Sequence, residues 1–133
     1  VAARLGDPIV GLPKALEEEM QRLAQAGEGP WALAGRIAAI ALSPAICEEI
    51  LFRGAILSGL RPRLPAWAVI LLVGLLFGVL HITIYRVPVT ALSGMVLAYM
   101  VLRSGSIYTS MVAHFILNTS ALVAGCTGKN VPW

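Results

Sequence analysis

Six polar side chains stand out in an otherwise oily chain: Glu48, Glu49 and Arg53 in the stretch AICEEILFRG, His81 in FGVLHI, and His114 with Asn118 in AHFILN. Carboxylate, imidazole and amide are what amide hydrolysis draws on: a base that takes a proton, and donors aimed where negative charge develops on a carbonyl oxygen. Glu49 and Arg53 are spaced i, i+4 with the acid first, the favourable order for an ion pair on one helical face. Glu48 lies about 100° around the helix from Glu49 and is i, i+5 from Arg53, so it is less well placed for that cation. A carboxylate not committed to a cation is the one free to accept a proton. Glu48 is therefore the candidate base, and Glu49 with Arg53 its scaffold. The plainer reading of Glu48 is an acid kept protonated and hydrogen-bonded in a core, and the first helix alone leaves both readings open.

His81 and His114 are the two histidines of the chain, and both fall in apolar segments. A single buried histidine is commonly a satisfied core residue. Two of them, together with a carboxylate and an amide in an apolar bundle, are expensive to keep without a use. Asn118 is i, i+4 from His114, so both side chains share a helical face and can converge on one substrate atom. Phe77 is likewise i, i+4 from His81 and reads as packing that orients the imidazole.

The elements that must position these groups are membrane-type helices. Of the 133 residues 58% are hydrophobic and 13% charged, with a mean hydropathy of +0.82, against roughly 45–50% apolar residues in soluble domains. A charged residue at the centre of a spanning helix costs about 2.5–3.5 kcal/mol, so the face carrying Glu48, Glu49 and Arg53 must turn inward. Four apolar helical segments are expected. The first runs from Trp31 to about Leu60, with a kink at Ser43-Pro44 one turn before the charges and Pro62 and Pro65 closing it. The second covers about Ala66 to Ile82, with Gly74 and Gly78 as a GxxxG pair for close helix approach. The third covers Pro88 to about Leu102, with Gly94 and Ala98 small at i, i+4, and the fourth about Ser106 to Gly125. Upstream, PKALEEEMQRLAQA places Leu16, Met20 and Leu23 on one face of a short helix with Pro13 suited to its first turn. That helix lies in the membrane interface or is a solvated linker.

The expected fold is therefore all-α: an integral membrane bundle of about four transmembrane helices preceded by a short amphipathic helix. Residues 1–30 form the amphipathic helix and linker, and 31–133 the core domain. The net charge of +3 is spread over loops and helix ends, which suits lipid headgroups and not nucleic acid. The basic residues do not favour one side, so orientation is not assigned from charge. Cys47 and Cys126 read as small buried hydrophobes. The opening VAARLGDP has no initiator Met, and the chain is expected to be a segment of a longer membrane protein, whose upstream part is then a partner.

EEILFR at 48–53 has the pattern EExxxR, FGVLH at 77–81 has FxxxH, and HFILN at 114–118 has HxxxN. In this order, one per apolar segment, they resemble the three motifs of the CAAX protease and bacteriocin-processing family, relatives of the Rce1-type prenyl-protein endopeptidases. The resemblance covers about Ala41 to Asn118. It implies a metal-independent intramembrane glutamate protease, multi-pass, in a bacterial plasma membrane, with no cofactor. Glu48 and His81 would activate a water, His114 and Asn118 would stabilise the oxyanion, and Glu49, Arg53 and Phe77 would support the site. The implied partners are a peptide or protein substrate, lipidated or not, and membrane lipids. Two other readings remain at this point. A zinc-dependent membrane metalloprotease could draw its ligands from the Glu and His residues, although HExxH is absent. A non-catalytic membrane subunit, a proton relay or an interaction or immunity scaffold, would also keep intramembrane Glu and His.

Overall fold

The computed structural model describes residues 30–81 and 86–126. The expected amphipathic helix through Leu16, Met20 and Leu23 lies outside the described residues. What is described is all-helical. A continuous helical run over 30–60 is made of α1 (Pro30–Arg36), a π-helical stretch (Ile37–Leu42), α2 (Ser43–Glu49), a second π-helical stretch (Ile50–Leu57) and the short α3 (Ser58–Leu60). It is followed by α4 (Ala66–Val79), α5 (Val87–Ser104) and α6 (Ile107–Cys126).

The first π stretch has a local cause. Pro44 has no N–H to return to the preceding turn, and just before it the helix widens, with the Ser43 N–H bonding back five residues to the Ala38 carbonyl. The chain absorbs the proline with a wider turn, and helical geometry carries on into the segment bearing the carboxylates. Pro62 and Pro65 end the run. Pro65 is extended (φ −65°, ψ 150°) and stands immediately before α4.

α4 is shorter than the expected 66–82 span. Its regular part stops at Val79, and the His81 N–H bonds the Gly78 carbonyl at 3.1 Å, three residues back. His81 thus sits in the tightened turn that closes the helix, a common way of satisfying terminal carbonyls. α5 opens with Pro88 in its first turn and is closed by Gly105 in the left-handed conformation (φ 72°), whose N–H bonds the Val101 carbonyl at 2.9 Å. Only a residue without Cβ adopts that angle at no cost. The two-residue link Gly105-Ser106 then sends α6 back along α5.

α4 and α5 make the closest helix pair. A Cβ on Gly74 would collide with the Met95 side chain and lie 2.8 Å from the Met95 nitrogen and 2.9 Å from the Ala91 carbonyl. One on Gly78 would stand 2.7 Å from the Ala91 Cβ, and one on Gly94 would stand 3.0 Å from Phe77. Glycines along this seam let two backbones approach within contact distance, which is how helices pair where lipid removes the hydrophobic drive between them.

The distribution of polarity is inverted relative to a water-soluble protein. Glu49, Arg53, Ser110 and His114 are buried, while Leu71, Leu72, Leu75, Leu76, Leu92 and Val96 lie on outward faces. Water would not tolerate so much exposed apolar surface; hydrocarbon would. α5 (Val87–Ser104) and residues Ile107–Ala124 of α6 are long and apolar enough to cross a membrane, and Ala66–Val79 is a shorter apolar helix. Cys47 differs from its expected buried position: it is exposed, because inward rotation of the Glu49 face turns Cys47, two residues away, outward with its neighbour Ile46.

Candidate active site

The site forms where α2 and the second π stretch meet α4, α5 and α6. Glu49 and Arg53 make the expected ion pair, Arg53 Nη1 donating to Glu49 Oε1 at 2.7 Å with both side chains fully buried. Arg53 also donates from Nη2 to the Gly94 carbonyl of α5 at 2.8 Å. Its guanidinium carbon stands 4.9 Å from the centre of the Phe77 ring, within cation–π range. One side chain thereby ties the first helical run to α5 and to α4.

Glu49 has a second partner that sequence spacing does not reveal. His114 of α6 places its Nδ1 2.9 Å from the same Glu49 Oε1. The other ring nitrogen, Nε2, lies 3.9 Å from Glu48 Oε2, too far for a hydrogen bond. The imidazole is thus held between two adjacent carboxylates, bonded to one and facing the other. Glu48 Oε2, Glu49 Oε2 and Arg53 Nε are buried and make no hydrogen bond among the described residues.

His81 is fixed by its own helix. Its Nδ1–H donates to the Phe77 carbonyl at 2.7 Å, so in the neutral imidazole Nε2 is the acceptor. Glu48 and His81 line one cleft of about 260 Å³ whose other walls are Leu51, Phe52 and Leu80. Phe77 packs between the parts, its ring centre 4.7 Å from that of His81, 5.6 Å from His114 and 4.9 Å from Phe52. Asn118 lies one turn beyond His114 on α6, half-buried, and makes no hydrogen bond to Glu48, Glu49, His81 or His114.

This arrangement can do proton chemistry on a small polar molecule in the cleft. It offers a carboxylate with an unbonded oxygen, an imidazole with a free acceptor nitrogen, and a second imidazole beside that carboxylate. Among the described residues no three His, Cys, Asp or Glu side chains are grouped as a set of metal ligands.

Residues 30–120 match the family described as type II CAAX prenyl endopeptidase Rce1-like. The chain belongs to that family. Neither the curated proteins nor the solved structures yield a match. Membership makes this Rce1-like chain a protease by family, and with its two long apolar helices it is a membrane protein.

Three features of this site are not assigned to it by the sequence. Phe52 walls the cleft and meets Phe77 edge-on, and its spacing of i, i+4 from Glu48 is the available signal. Leu80 walls the cleft from the end of α4 and carries no signal beyond adjacency to His81. The Gly94 carbonyl accepts from Arg53, and its hint was the small-residue pair Gly94 and Ala98, which marks a place where another helix comes close.

Proposed function

We propose that this Rce1-like chain is a multi-pass intramembrane endopeptidase that hydrolyses a peptide bond without a metal. The observation that carries the reading is the cleft in which Glu48 and His81 stand together, with His81 Nδ1 committed to the Phe77 carbonyl and Nε2 left to accept. Glu48 takes one proton from a water while His81 Nε2 accepts its other hydrogen and holds the oxygen for attack on the carbonyl carbon. Negative charge then develops on the carbonyl oxygen, where His114 and Asn118 are the donors. Collapse of the tetrahedral intermediate breaks the C–N bond, and the proton passes to the leaving amine. Glu49, Arg53 and Phe77 hold the helices that carry these groups.

In this reading the run 30–60 and α4, α5 and α6 all cross the membrane. α4 has 14 residues, about 21 Å at 1.5 Å per residue, against a hydrocarbon core of about 30 Å. Trp67, exposed at its start, suits the membrane interface. With that end anchored, His81 at the other end lies below the opposite surface, at a depth where hydrolysis needs a built cleft. The substrate is a peptide or protein reaching that depth, as a lipidated chain end does. The partners are that substrate, the surrounding lipids and any longer membrane protein of which this chain is a segment.

The test is cleavage of a library of lipidated and unlipidated peptides by the protein reconstituted in liposomes. Wild-type protein cleaves and folded Glu48→Gln does not. Equal turnover by that variant, or no cleavage of any peptide by wild type, overturns the proposal.

A further inference from the structure

The bond between Glu49 and His114 does more than fix a ring in place. Glu49 Oε1 already accepts from the Arg53 guanidinium at 2.7 Å, and a carboxylate so engaged is an acceptor toward its other neighbour as well. The proton of the 2.9 Å contact therefore sits on His114 Nδ1, and neutral His114 carries a bare lone pair on Nε2. In that state Nε2 cannot donate to an oxyanion. It faces Glu48 Oε2, a buried carboxylate oxygen with no hydrogen bond among the described residues, at 3.9 Å. Two acceptors aimed at each other across that gap are complementary only once a proton stands between them.

We infer that Glu49 is a positioning residue that sets the tautomer of His114, and that His114 Nε2 receives the proton Glu48 takes from water and delivers it to the leaving amine. The inference rests on the hydrolytic reading above. Glu48 has the more room to turn, its side chain being about one-third exposed (34%) and that of His114 nearly buried (6%), so the transfer calls for a rotation of Glu48. Protonated at both nitrogens, His114 is an imidazolium steadied by Glu49 on one side and able to donate Nε2–H to the oxyanion on the other. The charged groups around it are Glu48 and Glu49, with Arg53 behind Glu49; the α4 side presents the Phe77 ring.

The balance closes without a further reactant. One O–H bond of water breaks and its oxygen bonds the carbonyl carbon. The proton moves from Glu48 to His114 Nε2 and then to the departing nitrogen as the C–N bond breaks. Both side chains return to their starting protonation.

The experiment uses the intact protein in detergent micelles, labelled with 15N-histidine, with His81→Asn to assign the two imidazoles. Wild-type His114 is expected to show a protonated Nδ1 and a bare Nε2. Glu49→Gln retains an oxygen acceptor for Nδ1 and for Arg53 but removes the charge that steadies the imidazolium. Its kcat on a cleaved peptide is expected to fall by roughly 10²-fold, in the range for loss of acid–base assistance, with KM nearly unchanged. A wild-type His114 protonated on Nε2 and bare on Nδ1 overturns the inference, as does a folded Glu49→Gln protein with unchanged kcat. Absence of any cleavage by wild type would instead overturn the hydrolytic reading, and the tautomer measurement would still decide the role of Glu49.

Discussion

Arg53→Met isolates the electrostatic part of the site's support. Methionine keeps a flexible apolar stem of similar reach, so little packing is lost. What goes is the bond to Glu49 Oε1 at 2.7 Å, the bond to the Gly94 carbonyl at 2.8 Å and the contact with the Phe77 face at 4.9 Å. Because the Glu49 side chain is fully buried, its carboxylate is left inside the bundle without its cation, and breaking such a pair costs about 3–5 kcal/mol. On the unfolding-entropy scale of a domain this size the loss lowers Tm by about 10 °C or more. Thermal unfolding in one detergent, followed by near-ultraviolet circular dichroism, measures it. Arg53→Met combined with Glu49→Gln removes the stranded charge while keeping an acceptor for His114 Nδ1, and should recover about 2 kcal/mol of the loss. An unchanged Tm in the single variant, or a double variant no more stable than the single one, would refute the reasoning.

Glu48→Gln should leave Tm within a degree or two of wild type and lower kcat by about 10²–10⁴-fold, the range for loss of a general base, as measured by single-turnover peptide cleavage. Gly74→Ala should destabilise the bundle by about 1–3 kcal/mol, read by the same thermal assay, because the new methyl meets the Met95 backbone nitrogen and the Ala91 carbonyl and these can yield only by separating α4 from α5. Cleavage should persist after exhaustive treatment with a strong chelator. Loss of activity that zinc restores would point to a metal-assisted reaction.

Most helix positions were legible because the stops are covalent. Pro62 and Pro65 end the first run, whereas the positive φ of Gly105 that closes α5 is seen only in the structure. The Glu49–Arg53 bond was legible because i, i+4 spacing on one helix is local geometry. The π stretches were not. The first arises where the chain accommodates Pro44, and the apolar pattern reads the same through either kind of turn. The bond from Glu49 to His114 spans 65 residues, and nothing in the spacing of either motif states which carboxylate of the pair faces α6. Spacing within one helix pairs Glu49 with Arg53 and His114 with Asn118. The structure joins Glu49 to both Arg53 and His114, while Asn118 stands a turn away. His81 fell at the end of α4 because the helix tightens after Gly78, a detail that an unbroken apolar run to Ile82 conceals.

The central claim is that Glu48 and His81 act on the same water. Single-turnover rates for Glu48→Gln, His81→Asn and the double variant test it most directly, since groups serving one step as a unit lose their effect together. The account predicts a double variant no slower than the slower single one. Rate losses that multiply would show two independent contributions and contradict it.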